Sequence, residues 1–424
     1  MSLHPDVHIT TYNDAKLAEL YPEHLSLRLV QILFRHGERT PVRQRLPSAG
    51  LPLQYRMCFN AERFRAAVKM TNGWNELPYA RRLEVPANTR SGSGLSTAAA
   101  LPGTCLLGEL TDRGRQSTFY LGERLKELYV DRLGFAKISH ESELYLRASP
   151  IPRALESLQH VFSGMFPRSS LPKQFELIIH QRDWTQENLY PNEGACKRLQ
   201  QLAKEYAKRA ALTWNPILAG HASELLSEKY LDGKPLQVDG NPRVTGLADT
   251  INAAIGNGLD IPAEFRDKDM LKQVEAAAVE EWFGGYLADE AYRRLGAGRL
   301  LGDFRDRMVM CAGRESSLKV ALYGAHDTTI GAVLASLGVF DRRWPPFSSH
   351  IAIELFEDAR ASSDSITGES HLVRLRYNDK VLHIPGCTEA VHGFCTLKEF
   401  NKVIDELVPE DWEAECRAKP DLSA

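Results

Sequence analysis

A mostly apolar run at positions 29–34 ends directly before the octapeptide RHGERTPV at positions 35–42. Such a run is typical of a strand that is buried on both faces of a parallel sheet. Charged side chains at the end of a buried strand need partners, and arginine guanidiniums match phosphate oxygens in planar, bidentate geometry. A surface turn with ordinary ion pairs is the alternative. The octapeptide favours a phosphate-binding site over that turn.

Two further apolar segments are followed by residues of the same chemistry. Arg147 comes directly after segment 144–146, and His326 and Asp327 come shortly after segment 318–323, where a helical pattern begins. In open α/β sheets, ligands bind outside the carboxyl ends of the strands. The three strand ends are therefore predicted to meet in one site.

The reaction that needs this set of residues is phosphoryl transfer. A phosphate monoester carries two negative charges that repel a nucleophile, so its oxygens have to be neutralised before attack. Arg35, Arg39 and Arg147 are predicted to bind these oxygens without a metal or a cofactor. The neutral imidazole of His36 is predicted to attack phosphorus and form a covalent phosphohistidine, which splits one difficult displacement into two easier ones.

Two residues at the third strand end complete the predicted reaction. The departing alkoxide needs a proton, and Asp327 is the carboxyl group placed to supply it. His326 is predicted to donate a further hydrogen bond to the phosphate. The predicted catalytic residues are thus His36 and Asp327, and the predicted phosphate-binding residues are Arg35, Arg39, Arg147 and His326.

These segments resemble those of a known family, the histidine acid phosphatases, which form branch 2 of the histidine phosphatase superfamily. Residues 35–41 match the RHGxRxP signature of that family, and His326-Asp327 matches its HD signature. Arg147 lies in a segment similar to the third active-site arginine motif of the family. The resemblance spans about residues 28–402 with gaps, and it implies a metal-independent acid phosphatase that works through a phosphohistidine.

Within the family, segments 338–341 and 344–347 are most similar to the lysophosphatidic acid phosphatase branch. Residues 147–149 read Arg-Ala-Ser where the family usually has Arg-Ser-Thr, and residues 42–107 show no branch pattern. The loops around a site determine its substrate specificity more than the residues at the base of the site do. A lysophosphatidate phosphatase is the expected activity, and a phytase-like or general acid phosphatase is the alternative. A pseudoenzyme that binds phosphate without turnover is the third possibility.

The resemblance also implies a fold. A mixed, centrally parallel sheet with helices on both faces and an inserted helical cap is expected, as in histidine phosphatases and phosphoglycerate mutases. The spacing of the strand ends predicts an α/β domain at 25–180 and 314–424, after an N-terminal extension at 1–24. Helical periodicity predicts that residues 181–313 form the cap.

Three local patterns lead to further predictions. Segment 86–103 is rich in Ser, Gly, Thr and Ala and is predicted to be a flexible loop. Alternating Ile and Leu across 351–355 predict an antiparallel edge strand. The acidic residues Asp303, Asp306 and Glu315 are predicted to lie on a solvated helix face.

Composition and cysteine content bear on partners and compartment. The formal net charge of −3 gives no electrostatic case for a nucleic acid partner, so the expected partner is a small phosphomonoester. No stretch approaches the ~20 apolar residues that span a bilayer. The N-terminal residues lack the apolar segment of a secretory signal, which predicts a cytoplasmic protein with a mitochondrial location as the alternative.

Seven cysteines without metal-ligand spacing predict free thiols, with Cys387 and Cys395 as the pair most readily oxidised.

Overall fold

The computed structural model of the protein describes residues 12–52, 54–60, 63–71, 73–83, 102–361, 370–388 and 391–417. Among these residues, the strands are β1 (Leu25–Arg35), β2 (Arg63–Met70), β3 (Gly73–Ala80), β4 (Leu144–Ala148), β5 (Ile179–His180), β6 (Val320–Ala325), β7 (His350–Asp358), β8 (His371–Tyr377), β9 (Lys380–Leu382) and β10 (Phe394–Thr396). The α-helices are α1 (Asp14–Leu20), α2 (Asp112–Leu125), α3 (Pro152–Met165), α4 (Lys197–Leu218), α5 (His221–Tyr230), α6 (Val244–Gly256), α7 (Lys268–Ala288), α8 (Glu290–Arg293), α9 (Arg299–Ala312), α10 (Asp327–Ser336), α11 (Leu397–Asp405) and α12 (Trp412–Glu415).

The central sheet has eight strands among the described residues. Its order is β10-β8-β7-β1-β6-β4-β5, with β9 paired to β8. Strands β1, β6, β4 and β5 run parallel to one another, whereas β7 is antiparallel to β1 and to β8, and β9 and β10 are antiparallel to β8. The predicted mixed sheet with a parallel central part is confirmed. Its parallel part carries all three strand ends that the sequence singles out.

The two faces of β1 enter two separate apolar cores. Val30, Ile32 and Phe34 pack with side chains of α2 and α3 on one face. Leu29 and Leu33 lie on the other face and pack with α7, α9, α10 and α11. Because side chains alternate along a strand, burial on both faces requires an apolar residue at nearly every position. This explains the run that marks β1 in the sequence.

A third apolar core lies among the helices between β5 and β6. It is built from α4, α5, α6 and α7, with Leu226, Leu247 and Phe265 among its fully buried members. The predicted helical character of this region is confirmed. The predicted bounds of the cap, 181–313, stay a prediction, since α7 and α9 also cover the sheet.

The predicted strand at 351–355 is real, but its predicted place at the edge of the sheet is wrong. β7 is antiparallel and lies between β1 and β8. Residues 350–356 are all buried, including the polar side chains of His350 and Glu354. Glu354 is accommodated inside the sheet because Arg374 on β8 pairs with it at 2.8 Å. Glu354, the polar residue in the alternating pattern, is thus part of a buried ion pair and does not face water.

Six of the seven cysteines form disulfides, so the prediction of free thiols is wrong for them. The bonds join Cys58 to Cys105, Cys196 to Cys416 and Cys387 to Cys395, whereas Cys311 is a buried thiol. Only the last pair is close in sequence, with a separation of 8, and it is the pair expected to be most readily oxidised. Separations of 47 and 220 cannot be recognised from spacing.

A β-hairpin of β2 and β3 occupies part of the stretch that shows no family pattern. It forms a two-stranded sheet apart from the central one. The predicted flexible loop at 86–103 lies almost wholly outside the described residues. No helix within the described ranges has the length and apolar character needed to cross a membrane.

Candidate active site

The carboxyl ends of β1, β6 and β4 lie side by side. Arg35 is in register with Ala325 on β6, and Ala148 on β4 is in register with Gly324. The His36 amide continues the ladder by donating to the Ala325 carbonyl at 3.0 Å. The structure therefore brings His36, Arg147 and His326 together at the carboxyl ends of the parallel strands, as the apolar runs predict.

His36 is a buried, neutral imidazole with one ring nitrogen engaged. Its Nδ1 lies 2.8 Å from the carbonyl oxygen of Gly37, which can only accept. Nδ1 therefore carries the proton, and Nε2 keeps its lone pair. Burial lowers the pKa of His36 well below its usual value, and the positive charges of Arg153, Arg35 and Arg39 lower it further. A nucleophilic nitrogen is thus available even in acid.

Gly37 is required by a close approach of two backbones. A Cβ on Gly37 would lie 2.2 Å from the carbonyl oxygen of Gly114, and a Cβ on Gly114 would lie 2.1 Å from that of Glu38. Because both residues lack a side chain, the backbone of α2 can pack directly on the loop after β1. Thr111, the N-cap of α2, donates its hydroxyl to the Glu38 carbonyl at 3.1 Å. This packing fixes the position of the His36 backbone.

Arg35 and Asp327 form a buried ion pair, with Nη2 2.8 Å from Oδ2. The other amino group of Arg35 donates to the Pro345 carbonyl at 2.6 Å, and its guanidinium lies 3.9 Å from the centre of the Phe347 ring. Trp344 donates its indole N–H to Asp327 Oδ2 at 3.1 Å. The segment after α10 therefore orders both charged groups.

Burial raises the pKa of Asp327, but the positive charges of Arg35 and Arg39 outweigh it, with a smaller effect from His326, and the net shift is downward. Its Oδ1 also accepts the Thr328 amide at 2.8 Å, at the first turn of α10. Burial lowers the pKa of Arg35 to about 10, which still leaves it cationic near neutrality. Asp327 is therefore a carboxylate before substrate binds.

Arg39 is held by a carboxylate from the helical region. Asp249 on α6 accepts from Arg39 Nη1 at 2.7 Å and from the Val42 amide at 3.0 Å. Burial lowers the pKa of Arg39, but Asp249 and Asp327 raise it by more. Asp249 cannot be recognised from the sequence, because it lies 210 residues from Arg39 in a helix with no motif. Asp249 thus ties the helical region to the strand end.

Arg147 is buried and already surrounded by acceptors. Its guanidinium donates to Glu187 at 2.5 Å, to Asn188 at 2.7 Å and to Asp303 at 3.2 Å. Asp303 also pairs with Arg182 at 2.8 Å, so the predicted solvated position of Asp303 is wrong. Two carboxylates thus neutralise the charge of Arg147 within the protein.

Arg153 is a further arginine of the pocket, and it is not among the residues predicted from the sequence. It is the second residue of α3, and its charge lowers the pKa of both His36 and His326 more than any other charge does. Burial, together with the charges of Arg39 and Arg35, lowers the pKa of Arg153 to about 10. Its Nε is buried and has no hydrogen-bond partner among the described residues. A signal existed, since a helix that begins just after a strand end presents its first turn to the ligand.

His326 lies opposite His36, with 5.5 Å between the ring centroids. Its Nε2 is 2.8 Å from the Ser149 hydroxyl, so the segment after β4 orients the ring. Burial, together with the charge of Arg153, lowers the pKa of His326 to about 3, although Asp327 opposes the shift. Both imidazoles are therefore neutral, and the net positive charge of the pocket comes from arginines.

The described residues contain one cluster with the spacing of metal ligands, formed by Cys58, Cys105 and Glu109. The two sulfurs are bonded to each other, so they cannot act as thiolate ligands. The cluster is therefore a structural element beside the Arg39 loop. The chemistry of the pocket depends on guanidiniums, imidazoles and one carboxylate.

Comparison with known proteins agrees with this chemistry. Residues 26–378 match the family model described as histidine phosphatase superfamily (branch 2). The chain belongs to the histidine phosphatase superfamily, branch 2. A probable acid phosphatase of Schizosaccharomyces pombe is 48% identical over 352 residues, which cover 81% of this chain and 76% of that protein. The human lysophosphatidic acid phosphatase type 6 is 26% identical over 418 residues, which cover 92% of this chain and 86% of that one.

Solved histidine phosphatase structures share the fold. A Hafnia alvei phytase in complex with tartrate superposes with a TM-score of 0.62 at 15% identity, covering 94% of this chain and all of that chain. A Bifidobacterium longum multiple inositol polyphosphate phosphatase, in complex with inositol hexasulfate, gives a TM-score of 0.60 at 14% identity, covering 95% of this chain and 97% of that chain. Together with the family match, the fold identifies a phosphoric monoester hydrolase of the histidine acid phosphatase type.

Proposed function

We propose that the protein hydrolyses phosphate monoesters through a covalent phosphohistidine on His36. The observation that carries the proposal is the hydrogen bond from Nδ1 to the Gly37 carbonyl, which leaves Nε2 unprotonated among the guanidiniums of Arg35, Arg39 and Arg153. In the first step Nε2 bonds to phosphorus and the bond to the ester oxygen breaks. In the second step a water oxygen bonds to phosphorus and the bond to Nε2 breaks.

Three arginines supply the positive charge for this reaction. Arg35 and Arg39 keep the phosphate-binding role that the sequence predicts, and His326 adds a hydrogen bond. We assign the third guanidinium to Arg153, because its charge acts on His36 and its Nε has no hydrogen-bond partner among the described residues. The sequence predicts this role for Arg147, but Glu187 and Asp303 already hold its guanidinium. Arg147 is better suited to ordering the chain around Glu187.

Asp327 supplies the proton that the leaving oxygen needs. In the free protein it is a carboxylate bound to Arg35. A phosphate dianion that binds Arg35 weakens this pair and adds negative charge nearby, and both effects raise the pKa of Asp327. The carboxyl group takes up a proton, donates it to the departing alkoxide, and recovers a proton from the attacking water.

Lysophosphatidate is the substrate that we propose, with a phytase-like or general acid phosphatase activity as the alternative. The proposal is supported by the match to human lysophosphatidic acid phosphatase type 6 across 92% of this chain. The likeness to phytases is at 13–16% identity and concerns the fold alone. Competition between lysophosphatidate and inositol hexakisphosphate in one assay tests the choice, and faster release of phosphate from the inositol ester would reverse it.

A compartment that permits disulfides fits the protein better than the predicted cytoplasm. Three disulfides, two of them between distant parts of the chain, are typical of oxidising environments. We therefore propose that the protein works in such a compartment. Alkylation of the purified protein, unfolded without a reductant, should label Cys311 alone, and labelling of the other six cysteines would contradict the proposal.

Trapping the intermediate tests the mechanism. Rapid acid-free quenching with a labelled aryl phosphate should leave phosphate on His36, in a linkage that is labile to acid and stable to base. His36→Ala should remove both the label and the turnover. A stable phosphoprotein in that variant would mean that another residue is the nucleophile. A folded wild-type protein that binds phosphate but never turns over would identify a pseudoenzyme.

A further inference from the structure

Residues 343–349, between α10 and β7, contact two charged groups of the site. Trp344 donates its indole N–H to Asp327 Oδ2 at 3.1 Å, and the carbonyl of Pro345 accepts from Arg35 at 2.6 Å. Arg35 Nη2 lies 2.8 Å from the same oxygen of Asp327. Asp327 Oδ2 therefore has two donors, of which one is a cation and the other a neutral indole.

The two donors respond differently to a bound phosphate. Arg35 is attracted to the dianion, so its bond to Asp327 weakens. The indole of Trp344 is uncharged, and its ring is held by aromatic packing, with 5.4 Å between its centroid and that of Phe283. The Thr328 amide holds the other carboxylate oxygen, Oδ1, at 2.8 Å. Two neutral N–H groups are therefore left to fix the plane of the carboxyl group when Arg35 turns to the substrate.

Helix α7 holds the backbone of Trp344 as well as its ring. Glu275 Oε1 accepts from the Trp344 amide at 3.0 Å and from Arg343 Nε at 3.0 Å. The Glu275 side chain is only 10% exposed, so water competes little for these bonds. Phe283 lies on the same helix and is buried. The helical region thus reaches Asp327 through Trp344.

We propose that Trp344 and Glu275 are positioning residues, which hold Asp327 in line with the leaving oxygen after the phosphate has drawn Arg35 away. The proposal rests on the proposed function, because it takes Asp327 as the acid. Proton transfer requires the carboxyl group within hydrogen-bond reach of the oxygen that it protonates, and a misplacement of about 1 Å can cost on the order of 10²-fold in rate. Loss of either positioning residue should therefore slow the departure of alcohols that need the proton, and phosphate binding should be preserved.

Single turnovers of two esters test the role of the indole N–H. Trp344→Phe keeps an aromatic ring against Phe283 and removes the donor. With the protein in excess, release of glycerol from glycerol phosphate should be slower by about tenfold, as expected for loss of one hydrogen bond to a charged group. Release of nitrophenol from nitrophenyl phosphate needs no proton and should stay within about twofold of wild type. The KM of each ester should also stay within about twofold, since the phosphate-binding guanidiniums are unchanged.

Substitutions of Glu275 test the same contact without changing the aromatic packing. Glu275→Ala removes the acceptor of the Trp344 amide and should slow glycerol release by about fivefold, again with little effect on nitrophenol release. Glu275→Gln keeps a carbonyl oxygen for that amide, so its rate should be close to that of wild type. Glu280→Ala, which removes another carboxylate of α7, and Trp282→Phe, whose ring centroid lies 6.4 Å from that of Trp344, are matched controls. Both should keep the wild-type ratio of the two release rates.

The indole N–H also gives a signal that does not depend on turnover. The protein has six tryptophans, and the signal that disappears from the nitrogen–proton correlation spectrum in Trp344→Phe belongs to Trp344. That signal should shift in Asp327→Asn and in Glu275→Ala, and keep its position in Glu280→Ala. With sulfate bound it should still exchange slowly with water, because the N–H remains on Asp327. Rapid exchange in the sulfate complex overturns the proposal.

The outcomes separate positioning from a structural role and from the proposed function. Equal slowing of glycerol and nitrophenol release in Trp344→Phe indicates a structural role and overturns the proposal, and so does a changed ratio in Trp282→Phe or Glu280→Ala. A changed ratio in Asp327→Asn with none in Trp344→Phe or Glu275→Ala refutes the positioning roles alone. Equal slowing in Asp327→Asn itself refutes the acid role of Asp327, and the positioning roles with it.

Discussion

Arg35 and Asp327 are bonded to each other across the ends of two parallel strands, with 2.8 Å between Nη2 and Oδ2. The pair joins a phosphate-binding cation to the group that we assign as the acid. A ligand dianion competes with Asp327 for Arg35, so anion binding and protonation of Asp327 are linked. The same contact that keeps Asp327 ionised in the free protein is therefore weakened when the substrate binds, and Asp327 then takes up a proton from solvent.

Sulfate binding should be accompanied by proton uptake near pH 5. Arg35, Arg39 and His326 hold the pKa of Asp327 below its usual value in the free protein, despite the opposing effect of burial. Bound sulfate raises it, so the complex binds more protons than the free protein does. Calorimetry in two buffers of different ionisation enthalpy measures the uptake, and sulfate itself does not titrate in this range. Asp327→Asn should remove the uptake, and an unchanged value in that variant would refute the linkage.

Arg153→Ala and Arg147→Ala should fail in different ways. Loss of Arg153 should reduce kcat/KM by about 10²-fold, as removal of one charge-stabilising donor does, with little change in the melting temperature. Loss of Arg147 should destabilise the protein by about 3–5 kcal/mol, because it leaves the fully buried Glu187 without its partner. Kinetics and thermal unfolding of both variants decide the assignment. A stable Arg147→Ala protein with a hundredfold kinetic loss would return the phosphate-binding role to Arg147.

The difference between these two arginines shows where sequence reasoning stops. Apolar runs predict β1, β4 and β6, and parallel pairing then forces their ends together. The same reasoning selects Arg147, because it directly follows such a run. It cannot see that Glu187 and Asp303, 40 and 156 residues away, occupy that guanidinium. The partners of buried charges are set by tertiary packing, and the local sequence pattern does not predict them.

Removal of the long-range disulfide should destabilise the protein more than removal of the short one. In the chain-entropy view, stabilisation grows with the length of the closed loop. Cys196 and Cys416 are 220 residues apart, which corresponds to about 5 kcal/mol, and Cys387 and Cys395 are 8 apart, which corresponds to about 2.5 kcal/mol. Denaturant unfolding of the two double Cys→Ser variants measures both. Equal losses would mean that the bonds act through native-state packing.

Stability should fall as the pH drops below 6.5. His326 titrates at about 3 in the folded protein, whereas the unfolded chain has the ordinary value near 6.5. The contribution of this buried, neutral imidazole to stability is fully present above pH 6.5, the pKa of histidine in the unfolded chain. Below that pH, protons bind the unfolded chain but not the folded protein, so the contribution is lost. The contribution of this one group declines by about 1.4 kcal/mol for each pH unit between 6.5 and 3. Unfolding measured at pH 7 and at pH 5 should show a smaller pH effect in His326→Gln, and an equal effect would place the titration elsewhere.

Asp327→Asn should separate protonation of the leaving oxygen from nucleophilic attack by His36. An alkyl alkoxide is strongly basic and needs the proton of Asp327 as it departs, whereas a nitrophenolate leaves without one. The variant should therefore lose about 10²- to 10⁴-fold on alkyl phosphates, the usual range for general acid catalysis. With an aryl phosphate it should still show a burst of phosphorylation, followed by slow turnover because the base for water is also gone. Stopped-flow and steady-state rates on both esters measure this, and equal losses without a burst would assign the acid to another group and leave Asp327 as the partner of Arg35.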